Sequence, residues 1–180
     1  MPPITPALDQ LQERLCQPMR QYAFVPLILV RELQLFMSAP APTSSSDSNL
    51  QPDNAAPSKP IGYTINVFSC EGLFEDSPDH RAKDGHHVHT NMSKAALNML
   101  TETEAAPAWK NGRVVMNTVD PVYMSVDLVF MEKVGRAGEP CPIGWEDGAA
   151  RALWPVAQGE KGHIIRGRFL KHFSEAEAVR

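Results

Sequence analysis

Residues 113–130 read RVVMNTVDPVYMSVDLVF. In the second half of this stretch Met124, Val126, Leu128 and Phe130 alternate with Tyr123, Ser125, Asp127 and Val129, which is the two-residue period of a strand. The first half, Arg113 to Val119, is rich in β-branched residues and reads as a strand too. Asp120-Pro121 between them is a turn signal, so the two runs are expected to pair as an antiparallel hairpin. Working outward, Tyr63, Ile65 and Val67 alternate with Thr64, Asn66 and Phe68, and Ile165, Gly167 and Phe169 alternate with Arg166 and Arg168. One helix stands among these strands. Asn91 or Ser93 can cap it, Ala96, Leu97, Met99 and Leu100 give it an apolar face, and Pro107 lies beyond its expected end. The order strand, loop, helix, strand, strand, long loop, strand predicts an α+β domain: a small, mainly antiparallel sheet of about four strands with one main helix packed on it.

That domain is expected to span residues 61–180. Ahead of it, residues 39–60 (APAPTSSSDSNLQPDNAAPSKP) hold five Pro and five Ser with Leu50 as their one large apolar side chain. Such a segment buries too little surface to offset its ordering entropy and reads as a disordered linker. Residues 1–38 read as a helical leader: Thr5-Pro6 can start one helix carrying Leu8, Leu11 and Leu15, and Leu27 to Met37 can form a second, apolar almost all round. A helix of that kind wants a surface to dock on, whether the domain, a second copy or another protein. Met37 followed by Ser38 and the linker also permits residues 1–36 to be an upstream extension from a misplaced start.

The chain carries 17 basic and 21 acidic side chains for a net charge of −4, so no domain-wide basic field favours nucleic acid or an anionic membrane. Its longest unbroken apolar run, Ala23 to Val30, is too short to span a bilayer, and Arg31-Glu32 interrupts it as a signal peptide. Cys16, Cys70 and Cys141 are odd in number and show no CxxC spacing. A reducing cytoplasm is the expected compartment.

Two long connections hold the candidate chemistry. Glu71 to Thr90 carries five carboxylates and four of the six histidines, ending in Asp84-Gly85-His86-His87-Val88-His89-Thr90. On an extended backbone His87 and His89 project to one face and can share a divalent ion, with His163 or His172, or the nearer His80 or Asp84, as a third ligand. Such a site suits Zn, Fe, Mn or Ni and would support a metal-dependent hydrolase or oxygenase. Alternatively, imidazoles just before a helix N-terminus can hold a phosphate or carboxylate. The second connection, Lys133 to Gly162, includes Trp145 and Trp154 as candidate binding residues and room for a short helical turn around Ala149 to Leu153. At the C-terminus Arg166 and Arg168 share a strand face near Phe169 and Phe173, a pattern that single-stranded nucleic acid can use.

No phosphate-binding loop, GxGxxG, GxSxG or HExxH motif is present. The reading these features favour is a non-catalytic binding or accessory protein that acts through its two long loops, with another protein or a second copy as partner. The metal-dependent enzyme built on His87 and His89 is the alternative, and single-strand nucleic-acid binding through Arg166 and Arg168 comes third.

Overall fold

In the computed structural model the structure describes residues 16–17, 19–38, 60, 62–74, 83, 85–124 and 143–176. Its elements are α1 (Val25–Met37), preceded by a π-helical turn at Arg20–Phe24; β1 (Gly62–Val67); a 3-10 turn at Cys70–Gly72; α2 (Val88–Gly112); β2 (Val114–Asp120); α3 (Trp145–Glu160); β3 (Phe169–Lys171); and β4 (Ser174–Glu175). The strands lie in the order β1-β2-β3-β4. β1 runs parallel to β2 from Gly62↔Val114 to Val67↔Val119, β2 runs parallel to β3, and the short β4 returns antiparallel to β3.

The sheet is therefore mostly parallel, not mainly antiparallel, and among the described residues two helices, α2 and α3, accompany it where one was expected, besides α1 in the leader. The α+β class itself fits. The expected hairpin partner beginning at Met124 lies outside the described residues from 125 onward. Met124 itself forms an isolated parallel bridge with Ile143. Asp120-Pro121 ends a parallel strand: the Val122 N–H donates to Asp120 Oδ1 at 2.8 Å, and Val122 takes φ +76°, a left-handed conformation costly for a β-branched residue. The expected linker at 39–60, Pro60 apart, and the leader helix before Cys16 also fall outside the described residues.

α2 explains the parallel arrangement. Ser93, Leu97, Thr101, Ala105, Ala108 and Gly112 recur every three or four residues and are all buried, making one narrow stripe of small side chains that lies against the sheet. A helix of this length between two strands returns the chain to the end it started from, so the second strand pairs parallel to the first. The helix also passes through Pro107, which is exposed, and closes at Arg113, whose φ of +55° lets its N–H reach Trp109 O.

Strand alternation places the helices. Asn66 and Thr118 both hydrogen-bond Thr101 of α2, so the even-numbered side chains of β1 and β2 face that helix. Val114 and Met116 on this face join Ala105, Ala108 and Val30 of α1 in one apolar cluster. The odd-numbered face meets α3, where Gly159 abuts Tyr63 so closely that a Cβ would collide with the phenol oxygen. With cover on both faces, all seven residues of β2 are buried. Residues 165–168 run on beside β2 as irregular chain: Asn117 Nδ2 donates to Ile165 O at 2.7 Å, its Oδ1 accepts from Arg168 N at 3.1 Å, and Gly167 N donates to Met116 O at 2.8 Å. The strand expected from Ile165 therefore starts only at Phe169, as β3.

Candidate functional site

The parallel strands share one carboxyl end, the place where open, mostly parallel sheets receive ligands. Here the chain leaves β1 through Phe68 and Ser69. The Phe68 N–H donates to Val119 O at 2.8 Å and its ring meets Phe169 edge-on at 5.3 Å, which fixes the exit of the strand. Ser69 Oγ then accepts from the Glu71 N–H at 3.2 Å and caps the 3-10 turn. Gly72 presses that turn against α2, since a Cβ there would stand 2.6 Å from the backbone of Lys94 and Ala95. Beyond the turn lies a crevice of about 470 Å³. Cys70, Glu71, Leu73 and Phe74 line one wall, and Lys83, His86, His87 and Asn91 line the other.

The second wall is the start of α2. His87 occupies its N-cap position with φ +55°, and no side chain caps the first turn. Asn91 ties this corner, its N–H donating to His87 O at 2.9 Å and its Nδ2 to His86 O at 3.1 Å. Lys83 Nζ donates to Glu71 O and so bridges the two walls.

Asp120 is buried at the end of β2, and Lys171 Nζ lies 3.1 Å from its Oδ2 as an ion pair. Lys94, on the second turn of α2, is half-buried. It donates to Val67 O at 3.3 Å and sits 5.6 Å from the centre of the Tyr22 ring. Burial lowers the pKa of its amine below the usual 10.5, against the opposing pull of Glu71 and Asp120. Lys94 lines a second hollow, a groove of about 370 Å³ between α1, α2 and β1.

The expected histidine site is not brought together among the described residues. α2 begins at Val88, so His89 lies in its first turn while His87 precedes it in a left-handed conformation, and the two do not share the face of a strand. His163 is exposed after α3, and His172 stands in the β3–β4 turn with its Nδ1 3.1 Å from Arg151. Among the described residues no three His, Cys, Asp or Glu side chains gather where a metal ion would sit. His80 and Asp84 lie outside them.

The candidate binding residues are likewise separated. Arg166 stacks over Trp109 at 4.8 Å, while Arg168 pairs with Glu175 at 3.3 Å. They precede β3 on irregular chain and present no common strand face. Trp145 and Trp154 belong to α3 instead of a loop. Nine residues apart on a helix, they point to roughly opposite sides, Trp145 exposed and Trp154 edge-on to Phe173. Sequence reasoning missed Lys94. A lysine next to Ser93 of the small-residue pattern of a helix was the available signal.

No family model matches the chain. It is similar to an uncharacterised protein of Acanthamoeba polyphaga mimivirus, 30% identical over 112 residues, a match covering 56% of this chain and 22% of that protein. The chain thus spans about a fifth of that relative's length. A likeness to solved structures is the NADPH-bound carbonyl reductase from chicken fatty liver, at 20% identity and a TM-score of 0.43, covering 65% of this chain and 42% of that one. Among the described residues no helix is long and apolar enough to cross a membrane.

Proposed function

We propose that this is a binding protein whose ligand is a small molecule with an anionic group, seated in the crevice at the carboxyl end of β1. The observation that carries the reading is the crevice itself: the exit of a parallel strand, a serine-capped turn and the first turn of a long helix close around one hollow. Its volume lies in the range of small-molecule sites. Lys83, His86 and the uncapped start of α2 suit a negative group. Leu73 and the largely exposed Phe74 offer apolar cover for the rest of the ligand. The role is recognition, and the compartment that fits the free thiols of Cys16 and Cys70 is the cytoplasm.

Calorimetric titration of the full chain with citrate and with adenosine monophosphate tests this. Binding of at least one of them, weakened about tenfold or more in Lys83→Met and His86→Ala, is the expected result, since a lost charge-assisted hydrogen bond costs ~1.5–3 kcal/mol. Equal affinity in both variants would remove the crevice from the reading.

A further inference from the structure

The groove beside β1 has a chemistry of its own. Its long wall is the face of α1 that carries Pro26, Leu29, Leu33 and Met37, and its floor is β1 from Tyr63 to Val67. Among the described residues β1 pairs on one side only, so its outer edge faces this hollow with backbone groups that β2 does not use. Lys94 stands at the end of the groove nearest Val67.

That lysine has one carbonyl oxygen and one aromatic ring as neighbours. Among the described residues no carboxylate lies within ion-pairing distance of it. Of the charged groups acting on it from neighbouring elements, Glu71 on the 3-10 turn does so only at range, and Asp120 at the end of β2 is already neutralised by Lys171. A half-buried cation without a counter-ion is costly, and a bound anion would relieve that cost.

We infer that the groove is a second binding site, for an amphipathic monocarboxylate whose head pairs with Lys94 and whose apolar body lies between α1 and the edge of β1. The head is fixed by charge and the body by the lining, while the volume of about 370 Å³ limits the ligand to a small one. The site is separate from the crevice proposed above and does not depend on it.

Octanoate and octanol, which share an apolar tail and differ in the head, are the probes. Titrated into the full chain, octanoate is expected to bind at least tenfold more tightly than octanol. Lys94→Met, which keeps the bulk of the stem and removes the charge, should abolish that preference while retaining octanol binding. In the wild-type chain, octanoate should also slow acetylation of Lys94 by acetic anhydride and leave the exposed Lys110 unaffected, a readout that needs no variant to fold. Equal binding of the two probes, an unchanged octanoate affinity in Lys94→Met, or unprotected Lys94 would each overturn the inference. So would a concentration-dependent dimer that octanoate fails to dissociate, because the groove would then belong to a second copy.

Discussion

Replacing Thr101 by valine removes one oxygen atom from the contact that joins α2 to both of the first two strands. Thr101 Oγ1 accepts from Asn66 Nδ2 of β1 at 2.8 Å and from Thr118 Oγ1 of β2 at 2.6 Å, and all three residues are buried. Valine matches threonine in shape, so no cavity opens, yet both donors lose their acceptor where water cannot replace it. Two orphaned buried donors cost roughly 2–6 kcal/mol by the desolvation of each. The extra methyl group returns at most ~0.8 kcal/mol of apolar burial. A net loss of about 3 kcal/mol is expected, a large share of the ~5–15 kcal/mol that holds a domain folded.

Thr118→Val should cost less, about 1 kcal/mol, because Thr101 keeps its bond from Asn66 and one donor has been deleted instead of stranded. In the double variant only Asn66 is orphaned, so the combined loss should fall short of the sum by more than the ~0.5 kcal/mol seen for independent sites. Urea unfolding of the full chain and the three variants, followed by far-ultraviolet circular dichroism, measures all of these. A Thr101→Val loss below about 0.5 kcal/mol, or strict additivity in the double variant, would refute the assignment of this cluster as the anchor of α2.

Two further outcomes follow from the backbone and the buried amine. Val122→Gly should raise stability by about 1 kcal/mol in the same urea assay, since φ +76° strains a β-branched residue and suits glycine. A midpoint unchanged or lowered would count against that strain. Because burial lowers the folded-state pKa of Lys94, the folded chain binds fewer protons than the unfolded one between that pKa and 10.5. Stability therefore rises with pH across this window, and the rise should be smaller in Lys94→Met when unfolding curves at neutral and alkaline pH are compared.

The local elements were easier to read than their pairing. The alternation at 63–68 marks β1 as a strand but not its buried side, since Asn66 and Phe68 are buried while Val67 is exposed; in α2, Leu97 lies on the buried stripe and Leu100 packs beside the core. The direction of β2 left no such mark. Asp120-Pro121 is chemically a turn whether it joins a hairpin or ends a parallel strand, and only the seat of α2 between β1 and β2 decides. Buried Asn117 and Thr118 look like solvent-facing residues until Ile165 O and Thr101 are in place to bond them. α3 was hidden by Gly148, Pro155 and Gly159, which read as breakers. Two of these are glycines where Met124 and Tyr63 leave no room for a Cβ, so tertiary packing overrides helix propensity there. The site was the least legible part. HxH implies a shared face only on a strand, and the backbone had already turned helical; the meaning of Lys94 depends on α1, remote in sequence, closing over it.

The parallel ladder also dictates an order of assembly. Gly62 finds its partner at Val114 and Thr118 finds its partner at Phe169, each roughly 50 residues along the chain. Neither pairing can form until a long loop closes, whereas α2 and β2 are joined through Arg113 alone. The helix and the central strand can meet early as a local unit, with β1 and β3 adding later from either side. Since loop-closure entropy grows only as the logarithm of length, about 0.6 kcal/mol per doubling, residues added to the chain between β1 and α2 would scarcely change equilibrium stability. Their effect would fall on the rate at which β1 arrives.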